Sequence, residues 1–149
     1  KCSLLTYIAV GEGYKGKGFA KTLILELNSH LKQYHPENLA LFAESNSDNV
    51  DETKDIMNPK LRRKILNSIG FNYLGINYVQ PPLSEGKDKC RDLLLGVYNT
   101  DPSIKSVKSE IVLDWLKEFY EVLIGENYLE DEDLKETLKL YSKTEHFLF

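Results

Sequence analysis

Apolar positions along the chain follow two periods, and the changes between them mark the expected elements. Leu4 to Val10 (LLTYIAV) is a compact apolar run, partly β-branched and closed by glycine, which predicts a buried strand. Ala20, Leu23, Ile24, Leu27, Leu31 and Tyr34 recur at helical spacing, and His35-Pro36 stops that helix. Leu39 to Ala43 predicts a second buried strand, and Glu44 to Met57 reads as a polar loop. Asn58-Pro59 combines an N-cap residue with Pro at the first helical position; Leu61, Ile65 and Ile69 line one face, and Gly70 ends the helix. Phe71 to Leu74 and Asn77 to Gln80 read as short strands around Gly75, and Pro81-Pro82 breaks the pattern before a strand over Asp92 to Tyr98.

Asp101-Pro102 repeats the capping signal and predicts a long helix with the stripe Ile104, Val107, Ile111, Trp115, Leu116, Phe119 and Leu123, ended by Gly125. Residues 131–142 predict a last, acidic helix. The order of elements indicates a mixed α/β layer fold, a central sheet flanked by helices. A boundary near Asn99–Ser103 divides a sheet-bearing unit, residues 1–99, from a helical extension, residues 100–149.

Composition narrows the possibilities. The 149 residues are 42% apolar, enough for a packed core and too many for a disordered chain. No apolar run approaches the roughly 20 residues of a membrane span, so no membrane partner is expected. Two cysteines, Cys2 and Cys90, fit free thiols in a reducing cytoplasm better than a disulfide scaffold. With three scattered histidines they offer no zinc-ligand spacing, and no metal is expected. The net charge of −4 argues against a nucleic-acid binder. The charge is uneven, however: residues 1–35 hold five Lys and two Glu (+3), while residues 126–136 hold six acids and one Lys (−5). The basic end is the natural place for an anionic ligand.

That end contains Gly11-Glu12-Gly13-Tyr14-Lys15-Gly16-Lys17-Gly18, four glycines in eight residues between a strand and a helix. Glycines let backbone N–H groups approach phosphate oxygens, and a helix N-terminus adds about half a positive charge. Three registers fit. Gly11, Gly16 and Lys17 match the phosphate loop of ATPases, but Gly18 stands where Ser or Thr must hold magnesium. Gly11, Gly13 and Gly16 match the dinucleotide fingerprint of an NAD(P)-binding domain, with Glu44 after the second strand as a ribose-binding acid. In that register Gly18 would weaken the first helical turn by about 1 kcal/mol relative to Ala.

The third register centres on Lys15-Gly16-Lys17-Gly18-Phe19-Ala20, which resembles the acyl-CoA loop, [Arg/Gln]-x-x-Gly-x-[Gly/Ala], of the GNAT superfamily of N-acetyltransferases. Val10, Tyr14, Gly16, Lys17 and Gly18 keep the spacing of the family's Val-x-Pro-x-Tyr-Arg-Gly-Lys-Gly; Glu12 replaces Pro, and Lys15 replaces Arg or Gln. Downstream, Arg62 to Phe71 looks like the family's late helix ending in Gly-Phe, and Tyr78-Val79-Gln80-Pro81-Pro82-Leu83 resembles a tyrosine-containing stretch of some bacterial members. The resemblance covers about residues 3–98. Two departures stand out: Leu66 occupies the position of a frequent acid tyrosine, and the chain starts at what looks like the fourth strand. The expectation is that the first half of the fold lies outside this sequence or comes from another chain.

The resemblance implies acetyl-CoA as cosubstrate and an amine, on a small molecule or a protein, as acceptor. Ile8 and Val10 would offer backbone contacts to the pantetheine arm, and Lys15, Gly16, Lys17, Gly18, Phe19 and Ala20 would cradle the pyrophosphate. Glu44 is the candidate base, and Tyr78 the candidate acid in place of Leu66, with Tyr7 a further candidate. Asn46, Asn49 and Asn58 could bind pantetheine amides, and the cations of Lys60–Lys64 the 3′-phosphate. The aromatic stripe Trp115, Phe119 and Tyr120 is expected to be core, and the helical tail from Asp101 to cover the sheet, form a homodimer contact or belong to a separate module. A non-catalytic acyl-CoA-binding regulatory domain is the alternative that Leu66 keeps open.

Overall fold

The computed structural model describes residues 1–51 and 57–149; residues 52–56 of the expected polar loop lie outside the described residues. Strand β1 (Ser3–Leu5) leads through a 3-10 turn at Glu12–Tyr14 into α1 (Phe19–Tyr34), then β2 (Leu41–Asn46), α2 (Pro59–Ile69), β3 (Phe71–Tyr73) and β4 (Leu93–Tyr98). Beyond these come β5 (Ser106–Lys108), α3 (Ser109–Ile124), α4 (Glu132–Leu140) and β6 (His146–Leu148). The main sheet has the order β1-β2-β4-β3, and β5 pairs with β6 in a separate two-stranded sheet. β1 runs parallel to β2 in the register Ser3↔Leu41 to Leu5↔Ala43, while β4 is antiparallel to both β2 and β3. The fold is therefore mixed α/β, a mixed sheet flanked by helices.

Alternation along β2 sends side chains to two cores. Leu41 and Ala43 meet Ile24 of α1 and Leu66 and Ile69 of α2, with Phe71 beneath. Phe42, flanked by Leu95 and Val97 of β4, faces Val112, Trp115, Leu116 and Tyr120 of α3, and Leu134 of α4 joins the same core. Trp115 sits with its ring centroid 4.6 Å from that of Phe42 and 5.1 Å from that of Phe119. The C-terminal helices thus cover the sheet face opposite α1 and α2.

Several expected boundaries move. The first strand ends at Leu5, not Val10, because β2 offers it partners only through Ala43. The second begins at Leu41 and runs on to Asn46, so Glu44 lies within a strand. Asn77 to Gln80 forms no strand; one bridge, Gln80 to Cys90, takes its place. In α2 the buried positions are Leu66 and Ile69, whereas Leu61 and Ile65 are exposed. The helix expected from Asp101 starts only at Ser109. Asp101 instead accepts from the Ser103 amide (2.8 Å) and hydroxyl (2.7 Å) and closes a turn, and Val107 pairs with Phe147. Asp-Pro-Ser serves a turn as well as a cap, and the strand partner that decides between them lies some forty residues downstream. The region expected to be helical therefore also carries two short strands.

Gly70 closes α2 at φ +125°, and a Cβ there would come within 2.8 Å of Thr100 Cγ2. Its amide bonds back to Leu66 and Asn67, and its carbonyl accepts from Asn99 N at 2.8 Å. The Gly-Phe step is thus fixed by close backbone approach to the end of β4.

Candidate functional site

Two local features follow the parallel strands in the chain: an uncapped helix terminus after β1 and, in β2, a carboxylate held by two donors. The first is the start of α1. Gly18 is its N-cap at φ +82°, a left-handed conformation that glycine adopts without strain, and Gly16 is likewise at φ +72°. No side chain caps the helix, and its first turn contains no acidic residue. Nothing lies within 4 Å of where a Cβ would stand on Gly13, Gly16 or Gly18, so the concave side of the loop is backbone. The amides of Phe19, Ala20 and Lys21 have no preceding helical carbonyl to bond, as in any first turn.

The loop before this positive end carries Lys15 and Lys17 with the single acid Glu12, where acids would normally stabilise it. Lys15 pairs with Glu12 at 2.5 Å, an exposed contact, and the Lys17 ammonium lies 5.6 Å from the centre of the Tyr14 ring. Tyr14 in turn meets Phe19 edge-on at 5.5 Å, which ties the 3-10 turn to the first residue of α1. The loop is exposed and glycine-rich, with two lysines against one acid.

The second feature is Glu44. It is the first β2 residue beyond the last β1 pair, where the two parallel strands stop bonding to each other. Thr6 to Val10 continue past that point outside any strand, with Ile8 packed against the core beneath α1 and Val10 half-buried. On the α3 face, Glu44 is half-buried and receives two hydrogen bonds, from the Tyr78 hydroxyl to Oε1 and from Gln80 Nε2 to Oε2 at 2.8 Å. Burial, and then the adjacent Glu44 carboxylate, push the Tyr78 phenol well above its ordinary range, so it stays protonated as the donor.

Of the expected residues, Lys15 to Ala20 converge on the α1 terminus, and Glu44 and Tyr78 come into direct contact. Ile8 and Val10 lie in the segment that continues beyond the last β1 pair. Tyr7 is 80% exposed. Asn58 caps α2 by accepting from Leu61 N at 3.0 Å, which gives it a local structural duty. Arg63 of the basic cluster pairs with Asp48 at 2.6 Å. Leu66 is buried in the core beneath the sheet. Gln80 was not anticipated. Its spacing of two from Tyr78 in an extended segment is the signal that places both side chains on one side.

Among the described residues, no group of three or more His, Cys, Asp or Glu side chains could hold a metal ion, and no helix is long and apolar enough to cross a membrane. The chain matches no family model, no curated protein sequence and no solved structure.

Proposed function

We propose that the domain binds acetyl-CoA and transfers its acetyl group to an amine. The observation that carries this reading is the α1 terminus: glycine-capped, without a side-chain cap or a first-turn acid, and preceded by a loop that holds Lys15 and Lys17. Such an arrangement is unfavourable until an anion occupies it, and a pyrophosphate supplies both charge and several acceptor oxygens. The topology supports the CoA register. The parallel pairing stops at Leu5 and Ala43 while β2 runs on to Asn46, which leaves β2 edge beyond β1 that an extended pantetheine arm could pair with. The order β1-β2-β4-β3 with an antiparallel β4 suits the C-terminal half of a GNAT-like sheet and weighs against a doubly wound NAD(P) domain, whose sheet is mostly parallel. Glu44, already engaged by Tyr78 and Gln80, is also poorly free to bind a ribose.

In this mechanism the amine nitrogen attacks the thioester carbonyl; the C–N bond forms, the C–S bond breaks, and CoA leaves as the thiol. Glu44 takes a proton from the acceptor ammonium so that the lone pair is available. Backbone N–H groups beside Ile8 and Val10 hold the developing oxyanion. Glu44 releases that first proton to solvent, takes the second from the nitrogen as the C–N bond forms, and passes it to Tyr78 as Tyr78 protonates the departing thiolate, so no tyrosinate accumulates. Calorimetric titration tests the reading: saturable binding of acetyl-CoA, with acetyl transfer to a panel of primary amines that Glu44→Gln abolishes, is expected. Saturable binding of NAD without binding of acetyl-CoA would overturn it, and CoA binding without transfer to any amine would favour a regulatory acyl-CoA-binding domain.

A further inference from the structure

The two donors on Glu44 lie in a segment that has no sheet of its own to hold it. Residues 77–80 form no strand, and the Gln80–Cys90 bridge, bonded both ways at 2.9 and 3.0 Å, is the ladder contact described there. The C-terminal helices supply the remainder. The Tyr120 hydroxyl of α3 donates to the carbonyl of Val79 at 2.7 Å, and this bond is buried. Thr137 of α4 donates to the carbonyl of Asn77 at 3.3 Å, and the Tyr141 hydroxyl accepts from the Asn77 amide at 3.0 Å. On the far side of the bridge, Lys89 pairs with Asp131 at 2.7 Å and Arg91 donates to Asp133 at 2.9 Å, with both acids largely buried.

Val79 lies between Tyr78 and Gln80. Fixing its carbonyl from one side sets the rotation of the extended segment, and that rotation aims the side chains on either side of it at the same carboxylate. We infer that Tyr120 is a positioning residue: its hydroxyl, through the Val79 carbonyl, holds Tyr78 and Gln80 on Glu44. The region beyond residue 100 thereby becomes part of the active-site frame as well as a cover for the sheet. A catalytic meaning rests on the acetyltransferase reading, but the geometry does not, and the test separates the two.

Tyr120→Phe removes one oxygen and keeps the ring that packs in the core. In this variant the Gln80 side-chain amide resonances, followed by 15N NMR, are expected to lose their hydrogen-bonded shift, while the dissociation constant for acetyl-CoA stays within about twofold. Turnover should fall roughly tenfold with KM for acetyl-CoA unchanged, a fraction of what a general base contributes. Unchanged Gln80 resonances in a folded Tyr120→Phe protein would overturn the inference whatever the activity does. If the wild-type chain binds no acetyl-CoA, the acetyltransferase reading falls and the Gln80 resonances still decide the positioning. Should Tyr120→Phe fail to fold, the wild-type chain decides: a Tyr120 hydroxyl proton that exchanges slowly with solvent and shows a coupling to the Val79 carbonyl carbon is expected, and a rapidly exchanging hydroxyl without that coupling would contradict the inference.

Discussion

The N-termini of α1 and α2 solve the same electrostatic problem in opposite ways. At α2, Asn58 accepts from Leu61 N and Pro59 removes one surplus donor, so the terminus is closed by its own sequence. At α4, Asp131 accepts from the amides of Asp133 and Leu134, and Glu132 and Asp133 add negative charge to the first turn. At α1, Gly18 offers no side chain, the first turn contains no acid, and Lys15, Lys17 and Lys21 lie nearby in sequence. α3 also lacks a side-chain cap but carries Glu110 in its first turn. Under the proposed function, the contrast suits α1 to an external anion, at a cost in stability while none is bound.

The sharpest way to break the contrast is Gly18→Val. The left-handed φ of +82° costs a β-branched residue about 1–2 kcal/mol, and the added side chain fills the backbone cradle. Acetyl-CoA affinity should fall about 100-fold or more, a loss of roughly 3 kcal/mol, read by calorimetry beside a thermal melt. Next, Lys15→Ala/Lys17→Ala should weaken binding about tenfold at low salt, with a smaller difference at high salt because these exposed charges are screened. The same pair should leave the empty protein unchanged or slightly more stable, by a few tenths of a kcal/mol, since it removes cations from a positive helix end. Asn58→Ala gives the opposite pattern: a loss of about 1 kcal/mol in chemical denaturation and no change in CoA affinity.

The acid-dependent effect is the smallest. Arg91, bonded to Asp133 and helped by Lys89, holds that carboxyl below the usual carboxylate range. A carboxyl whose folded pKa is depressed contributes stability above its unfolded value, near 3.9, and loses it as pH falls through the folded value. Asp133→Asn should therefore be less stable than the parent at neutral pH, and the gap should close on acidification, as followed by urea denaturation at a series of pH values.

Local signals carried much of this architecture. The Asn58-Pro59 cap, the Gly70 terminator, the glycine cradle and the helix after it follow from side chains that act within a few residues of one another. What escaped was decided at long range. Val10 has strand-like residues around it, but the pairing of β1 with β2 stops at Leu5 and Ala43. Ser106–Lys108 takes its partner from His146–Leu148, and Asp101 turns the chain instead of starting a helix. Glu44 and Tyr78 could each be chosen for chemistry from the sequence, yet their contact depends on Tyr120 and the bridge to Cys90, which no local pattern encodes.

The most direct measurement is amide 15N NMR of the chain titrated with CoA and, separately, with pantetheine, which lacks the pyrophosphate. The account predicts saturable shifts with CoA that are largest at Gly16, Gly18, Phe19, Ala20 and Lys21, absent at Leu61, and lost at the α1 terminus with pantetheine. CoA binding that leaves those amides unmoved, or no binding at all, would contradict it.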